Sequence, residues 1–318
     1  MKKIFLTAGL AAMLSACGGG GAQKSAEVVG ENPFLTEYTT PFGVPPFDKI
    51  KLEHYKPAFI QGMEEQAKEI DAIINQRSTP DFENTIAALD QSGKLLRKVS
   101  AVFYGLNSAN TSDEMQALSR ELSPLLSKHS DDISLNPRLF ARVKEVYEKR
   151  NELNLDKEQM KLLEETYKDF VRGGANLPED KQAKLRELNN EISMLQLTFG
   201  QNMLKETNDF KLVIDKKEDL AGLPESLIAN AAATAASEGM EGKWVFTLQN
   251  PSVMPFLQYA DNRELREKIF NGYINRGNNN NDADNKEVVK KLIAARLEKA
   301  KLMGCDEYAA FLLDTRMA

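Results

Sequence analysis

Between Tyr55 and Ile74 the chain reads Tyr55-Lys56-Pro57-Ala58-Phe59-Ile60-Gln61-Gly62-Met63-Glu64-Glu65-Gln66-Ala67-Lys68-Glu69-Ile70-Asp71-Ala72-Ile73-Ile74. Tyr55, Phe59, Met63, Ala67, Ile70 and Ile74 recur every three or four positions, the spacing that lines one face of an α-helix. The same period continues on the C-terminal side. Thr79 as N-cap and Pro80 at the first helical position predict a second helix, with a stripe from Phe82 through Ile86, Leu89, Gly93, Leu96, Val99 and Phe103 to Leu106. Thr111-Ser112-Asp113-Glu114 reads as a capping box ahead of Met115, Leu118, Leu122 and Leu125. Asn136-Pro137 opens a further helix to about Asn151. Asp156 caps the next, which stops at Gly173-Gly174, and Pro178 precedes a longer one carrying Leu185, Leu188, Ile192, Leu195, Phe199 and Met203.

The pattern changes near residue 207. Phe210-Lys211-Leu212-Val213-Ile214 and Trp244-Val245-Phe246-Thr247-Leu248 are rich in β-branched and aromatic residues and predict two strands around a helix at about Pro224 to Ser237. Helical spacing returns at Val253 to Tyr259, Arg263 to Ile274 and Lys286 to Met303, and a last helix is expected to run from Asp306 to the end. The fold class expected is therefore mainly α, an antiparallel helical array with a small two-stranded β element near 210–248. The chain divides into 1–16, 17–31, 32–206, 207–260 and 261–318.

Composition narrows the function. The 318 residues are 42% hydrophobic and 28% charged, which excludes a disordered or collagen-like chain. A net charge of −6 gives no general attraction to phosphates, so nucleic acid is not an expected partner. At the N-terminus, Lys2 and Lys3 precede an apolar run, Ile4 to Leu14, that is shorter than the ~20 residues needed to cross a bilayer. The run ends in Leu14-Ser15-Ala16-Cys17, which resembles a bacterial lipobox. Residues 1–16 are thus expected to be a lipoprotein signal peptide, Cys17 the lipidated residue, and 17–31, with Gly18 to Gly21, a flexible tether. That places the protein in the bacterial cell envelope, held to a membrane by its lipid anchor.

The scarce residues limit the chemistry. The chain holds two His, His54 and His129, and two Cys, Cys17 and Cys305. With Cys17 lipidated no internal disulfide is possible, and Cys305 reads as a buried spectator thiol. A zinc hydrolase needs neighbouring imidazoles, commonly one helical turn apart, and neither His has that context. Both are expected to be structural, His129 as a cation near a helix end. No Gly-x-Ser-x-Gly elbow is present. The pairs Glu64-Glu65 and Glu164-Glu165 read as solvated helix faces. Gly277 to Asn285 fails the calcium-loop pattern, with Asn285 where Gly and Lys291 where Glu would stand, and is expected to be a solvated loop. From these residues alone, no catalytic or metal-binding position is assigned.

A resemblance goes further. Asn32-Pro33-Phe34-Leu35, Pro45-Pro46-Phe47-Asp48-Lys49-Ile50 and His54-Tyr55-Lys56-Pro57-Ala58-Phe59 resemble the opening of the thimet-oligopeptidase family of zinc metallopeptidases, in its peptidyl-dipeptidase and oligopeptidase A branch. Further matching stretches are Pro80 to Leu89, Trp244 to Leu248, Asn250-Pro251-Ser252, Arg263 to Glu267, Tyr273 to Gly277 and Arg296 to Gly304, so the likeness covers about Asn32 to Ala318. It implies two helical lobes around a channel that admits short unfolded peptides, and zinc held by a His-Glu-x-x-His helix and a further Glu. No residue of this chain matches those positions. The chain is therefore expected to be an incomplete half of the two-lobed metallopeptidase, 261–318 beginning the catalytic domain, with zinc ligands in a missing C-terminal half and no activity alone. The competing expectation is a non-catalytic helical envelope lipoprotein that binds peptides or glycans.

Overall fold

The computed structural model describes residues 31–317 as a mainly α protein with one small antiparallel sheet. The first helix, α1 (Leu52–Ile74), buries Tyr55, Phe59, Ile70 and Ile74 as its spacing predicts, but Ala67 is exposed. The buried line passes instead through Gly62, whose missing Cβ lets α1 approach Leu96 of α3 (Lys94–Ala109); a Cβ there would lie 2.9 Å from the Leu96 backbone. Phe59 and Phe103 meet edge-on at 5.5 Å, and with Phe34, Tyr55, Val99 and Leu122 of α4 (Asp113–Ser134) they form the first core. Each fully buried side chain of this size contributes about 1.5–3 kcal/mol.

The single helix expected from Pro80 to Leu106 is broken. Its N-cap is Asp81, in a reciprocal box with Asn84, and not Thr79. A wide π turn, Phe82–Ala87, leads into α2 (Ala88–Gln91), and the chain then bends at Gly93. Gly93 has φ +71, its N–H donates to the Glu69 carboxylate at 2.7 Å, and a Cβ would stand 2.5 Å from Gln66. A bend that only Gly accommodates there divides the stripe between two cores. Phe82 and Ile86 join Ile70, Ile73 and Ile74 with Leu139, Val143, Leu163 and Phe170 of α5 (Pro137–Glu148) and α6 (Lys157–Arg172).

At the start of α4 the cap is Ser112, accepting from the Met115 N–H at 3.2 Å, so the expected Thr111–Glu114 box does not form. Asn136 and Asp156 cap α5 and α6 as predicted. Helix α7 (Glu179–Asp209) fully buries Leu185 and Leu188, but Phe199 on the same face is 37% exposed. The strands are shorter than expected: β1 (Leu212–Ile214) pairs antiparallel with β2 (Trp244–Phe246), Val213 opposite Val245. Together with α8 (Glu225–Ser237) and α9 (Asn250–Tyr259) they enclose a third core around Phe246 and Phe256.

Helices α10 (Arg263–Ile274) and α11 (Lys286–Leu302) follow, and α11 lies along α7. The loop between them is not simply solvated. Glu206 of α7, buried beneath it, accepts from Gly277 N–H, from Asn279 Nδ2 at 2.8 Å and from Asn281 Nδ2 at 2.7 Å. A buried carboxylate satisfied in this way holds the Asn-rich segment to the helix. The last helix, α12 (Tyr308–Leu313), is one and a half turns and ends before Asp314, so it does not run to the end of the described chain. Asp314 pairs with Arg172 at 2.7 Å and docks it on α6.

Candidate functional site

Helix α4 carries Ser123, Ser127, Ser130 and Ser134, spaced so that all four hydroxyls share one face. They line a cleft of about 640 Å³ against Asn189, Ser193 and Gln196 of α7, with Lys299 of α11 inside it and Tyr308 of α12 among its walls. Deeper in the cleft, Asp131 is only 5% exposed. Its Oδ1 accepts from Asn189 Nδ2 at 2.7 Å, and Asn189 Oδ1 accepts from Lys299 Nζ at 2.7 Å. An ammonium can only donate and a carboxylate accepts, so the amide has one orientation and links the two charges.

Burial pushes the Asp131 carboxyl above the usual carboxylate range, against the Asn189 hydrogen bond and the Arg186 and Lys299 charges, which pull it down. Burial also pushes the Lys299 ammonium below its ordinary value, and the Asp131 charge opposes that shift. Against burial, Asn189, Arg186 and Lys299 favour the ionised carboxyl, and the Asp131 charge favours the ionised ammonium. Chemically the site offers neutral hydroxyls and amides that donate and accept, with one partnered cation and one partnered anion.

A smaller cavity of about 380 Å³ shares Leu126, Ser130 and Ser134 with this cleft and contains His129. His129 does not lie at the helix end but within α4, and its Nε2 donates to Gln66 Oε1 at 2.8 Å. Burial pushes its pKa below the ordinary imidazole value, with smaller opposing and reinforcing effects from Asp132 and Lys128. The expectation of a dipole-stabilised cation is thus overturned: loss of hydration outweighs the helix end, which is more than a turn away. His54 is buried at the start of α1, where Nδ1 accepts from the Lys51 N–H at 3.0 Å.

The structure does not bring the two His together, and each is committed to its own partner. Among the described residues no group of three or more His, Cys, Asp or Glu is placed to hold a metal. The described residues therefore do not fit the zinc site that the resemblance implies. Cys305 is half-buried, not fully enclosed as expected, because it follows the positive-φ Gly304 at the end of α11, where its N–H donates to Ala300 O at 2.9 Å. Cys17 and its lipobox lie outside the described residues. Glu64, Glu164 and Glu165 are exposed, and Glu165 pairs with Lys161 at 2.6 Å. The cleft residues were not singled out from sequence, although the serine spacing on α4 is a signal that could have found them.

Residues 256–318 match the model of peptidase family M3. Over 287 residues the chain is 39% identical to dipeptidyl carboxypeptidase of Escherichia coli (strain K12), covering 90% of this chain and 42% of that protein. The Salmonella typhimurium dipeptidyl carboxypeptidase is 38% identical over the same shares. Oligopeptidase A of Escherichia coli (strain K12) is 31% identical over 291 residues, again 90% of this chain and 42% of the relative. The chain thus spans about two-fifths of the length of these relatives, and the similarities support a place in peptidase family M3.

Proposed function

We propose that this chain is the portion of an M3 metallo-oligopeptidase that precedes its zinc site, and that the parent protein hydrolyses short unfolded peptides with release of C-terminal dipeptides. The observation that carries this reading is the 39% identity to a dipeptidyl carboxypeptidase along 90% of the chain. Zinc, when bound by the remainder of such a protein, would polarise the scissile carbonyl and acidify a water. Among the described residues none is placed to hold it, and in this reading the chain has no activity by itself.

In this reading the chain's own part is to hold peptide. The serine face of α4 with Asn189, Ser193 and Gln196 can donate to and accept from main-chain amides whatever the side chains, as an enzyme of broad peptide preference requires. Lys299 places a positive charge in the same cleft for a terminal carboxylate. Lipidation at Cys17 would hold the protein in the cell envelope, where such peptides arise from breakdown of exported proteins. Reading the encoding DNA past codon 318 tests the assignment. The expected result is an open frame encoding His-Glu-x-x-His, and a natural stop codon without that motif overturns it.

A further inference from the structure

The segment that matches the family model, 256–318, begins in the third core with the buried Phe256 and Ala260 and then buries little more. From residue 261 onward the buried apolar residues are Ile269, Ala283, Leu292, Ala295 and Ala300, without one aromatic ring. Helix α11 packs along α7 and against α12, and it buries Leu292, Ala295 and Ala300. Val289, Ile293 and Leu297, at i, i+4 and i+8, are 37%, 61% and 38% exposed. Single exposed apolar side chains are ordinary, but three in one line make a second apolar face on a helix that already has one.

We infer that the Val289–Ile293–Leu297 face of α11 is a docking surface for the remainder of the M3 catalytic region in the parent polypeptide, an inference that rests on the function proposed above. Two observations select this occupant. The face lies within residues 256–318, the stretch that matches the family model, which favours a neighbour from that same region. The relatives that align along 90% of this chain extend well beyond it, since the alignment covers 42% of their length. The face is about 12 Å long, at 1.5 Å per residue, which suits one helix laid against α11.

Thiol accessibility tests this directly. Ile293→Cys, in a Cys305→Ser background, is labelled with a maleimide in this chain and in the protein extended through its reading frame, with Lys68→Cys on α1 as the distant control. Labelling is read per peptide by mass, and thermal melts confirm that each variant is folded. The expected result is at least a ten-fold slower rate at position 293 in the extended protein, with the control unchanged. An unchanged rate in an extended protein that cleaves peptides overturns the inference and leaves the function standing. A slower rate in an extended protein without peptidase activity supports the docking surface and removes the function. A rate that falls in this chain alone as its concentration rises assigns the face to a second copy and overturns the inference.

Discussion

Residues 52–206 and residues 261–317 are both built from amphipathic helices, yet they use their apolar side chains differently. In the first region α1 is enclosed by α3, α4 and α5, and Phe59, Phe103, Leu122, Leu139 and Leu163 reach zero exposure. In the second, α11 packs on α7 and the short α12, and Phe270, Ile274 and Ile293 are 47%, 54% and 61% exposed. The difference is one of partners and not of intrinsic helicity: the first region contains its neighbours, while the second leaves apolar faces exposed. The polar cleft lies where α4 and α7 of the first region meet α11 of the second.

This contrast can be broken by substitution. Phe59→Ala should destabilise the folded chain by about 3–5 kcal/mol, because it empties a closed aromatic core. Urea unfolding measures it, and a loss under 1 kcal/mol would show that the first region is not closed as described. Lys299→Met, between the two regions, should cost about 1–3 kcal/mol by leaving the Asn189 amide oxygen without its donor and the buried Asp131 with Arg186 as its remaining cation. Adding Asp131→Asn should restore part of that loss, and strict additivity would contradict the Asp131–Asn189–Lys299 linkage. In the frame-extended protein Lys299→Met should raise KM for short peptides and leave kcat little changed.

A pH series sharpens the same comparison. The His129 pKa is depressed by burial, so its neutral form contributes stability that is present above the ordinary imidazole range. That stability is lost as pH falls through the depressed value, and His129→Gln should flatten this part of the profile. Asp131 acts with the opposite sign. Its raised pKa makes the folded state bind a proton where the unfolded chain has released it, so stability falls as pH rises from the ordinary carboxylate range through the raised value. Asp131→Asn should remove that decline. The smallest effect is expected for Ile293→Ser, within about 0.5 kcal/mol in this chain, since the side chain is 61% exposed. A loss above 2 kcal/mol would mean that the face is already covered.

Much of the helical framework was legible in residues that act locally. Asn136 and Asp156 cap where their side chains predict, Gly173-Gly174 ends α6, and the two β-branched runs pair as strands. What was missed depends on contacts between distant parts. Gly93 looked like one more position in a stripe, and only its close approach to Gln66 and Glu69 makes it a bend. Ala67 fits the period but faces away, because Gly62 sets where α1 meets α3. The Asn-rich loop looked solvated because its anchor, Glu206, lies on another helix far back in the chain. The cleft was hidden for the same reason: Asp131, Asn189 and Lys299 come from three helices, and each alone reads as an ordinary surface residue.

The central claim, that this chain is the zinc-free portion of a metallo-oligopeptidase, is tested most directly by following dipeptide release from a short unfolded peptide by chromatography and mass. The chain of residues 17–318 should release none, and the frame-extended protein should release C-terminal dipeptides in a reaction abolished by a zinc chelator. Dipeptide release by the chain alone, or none by the extended protein with zinc supplied, would contradict the account.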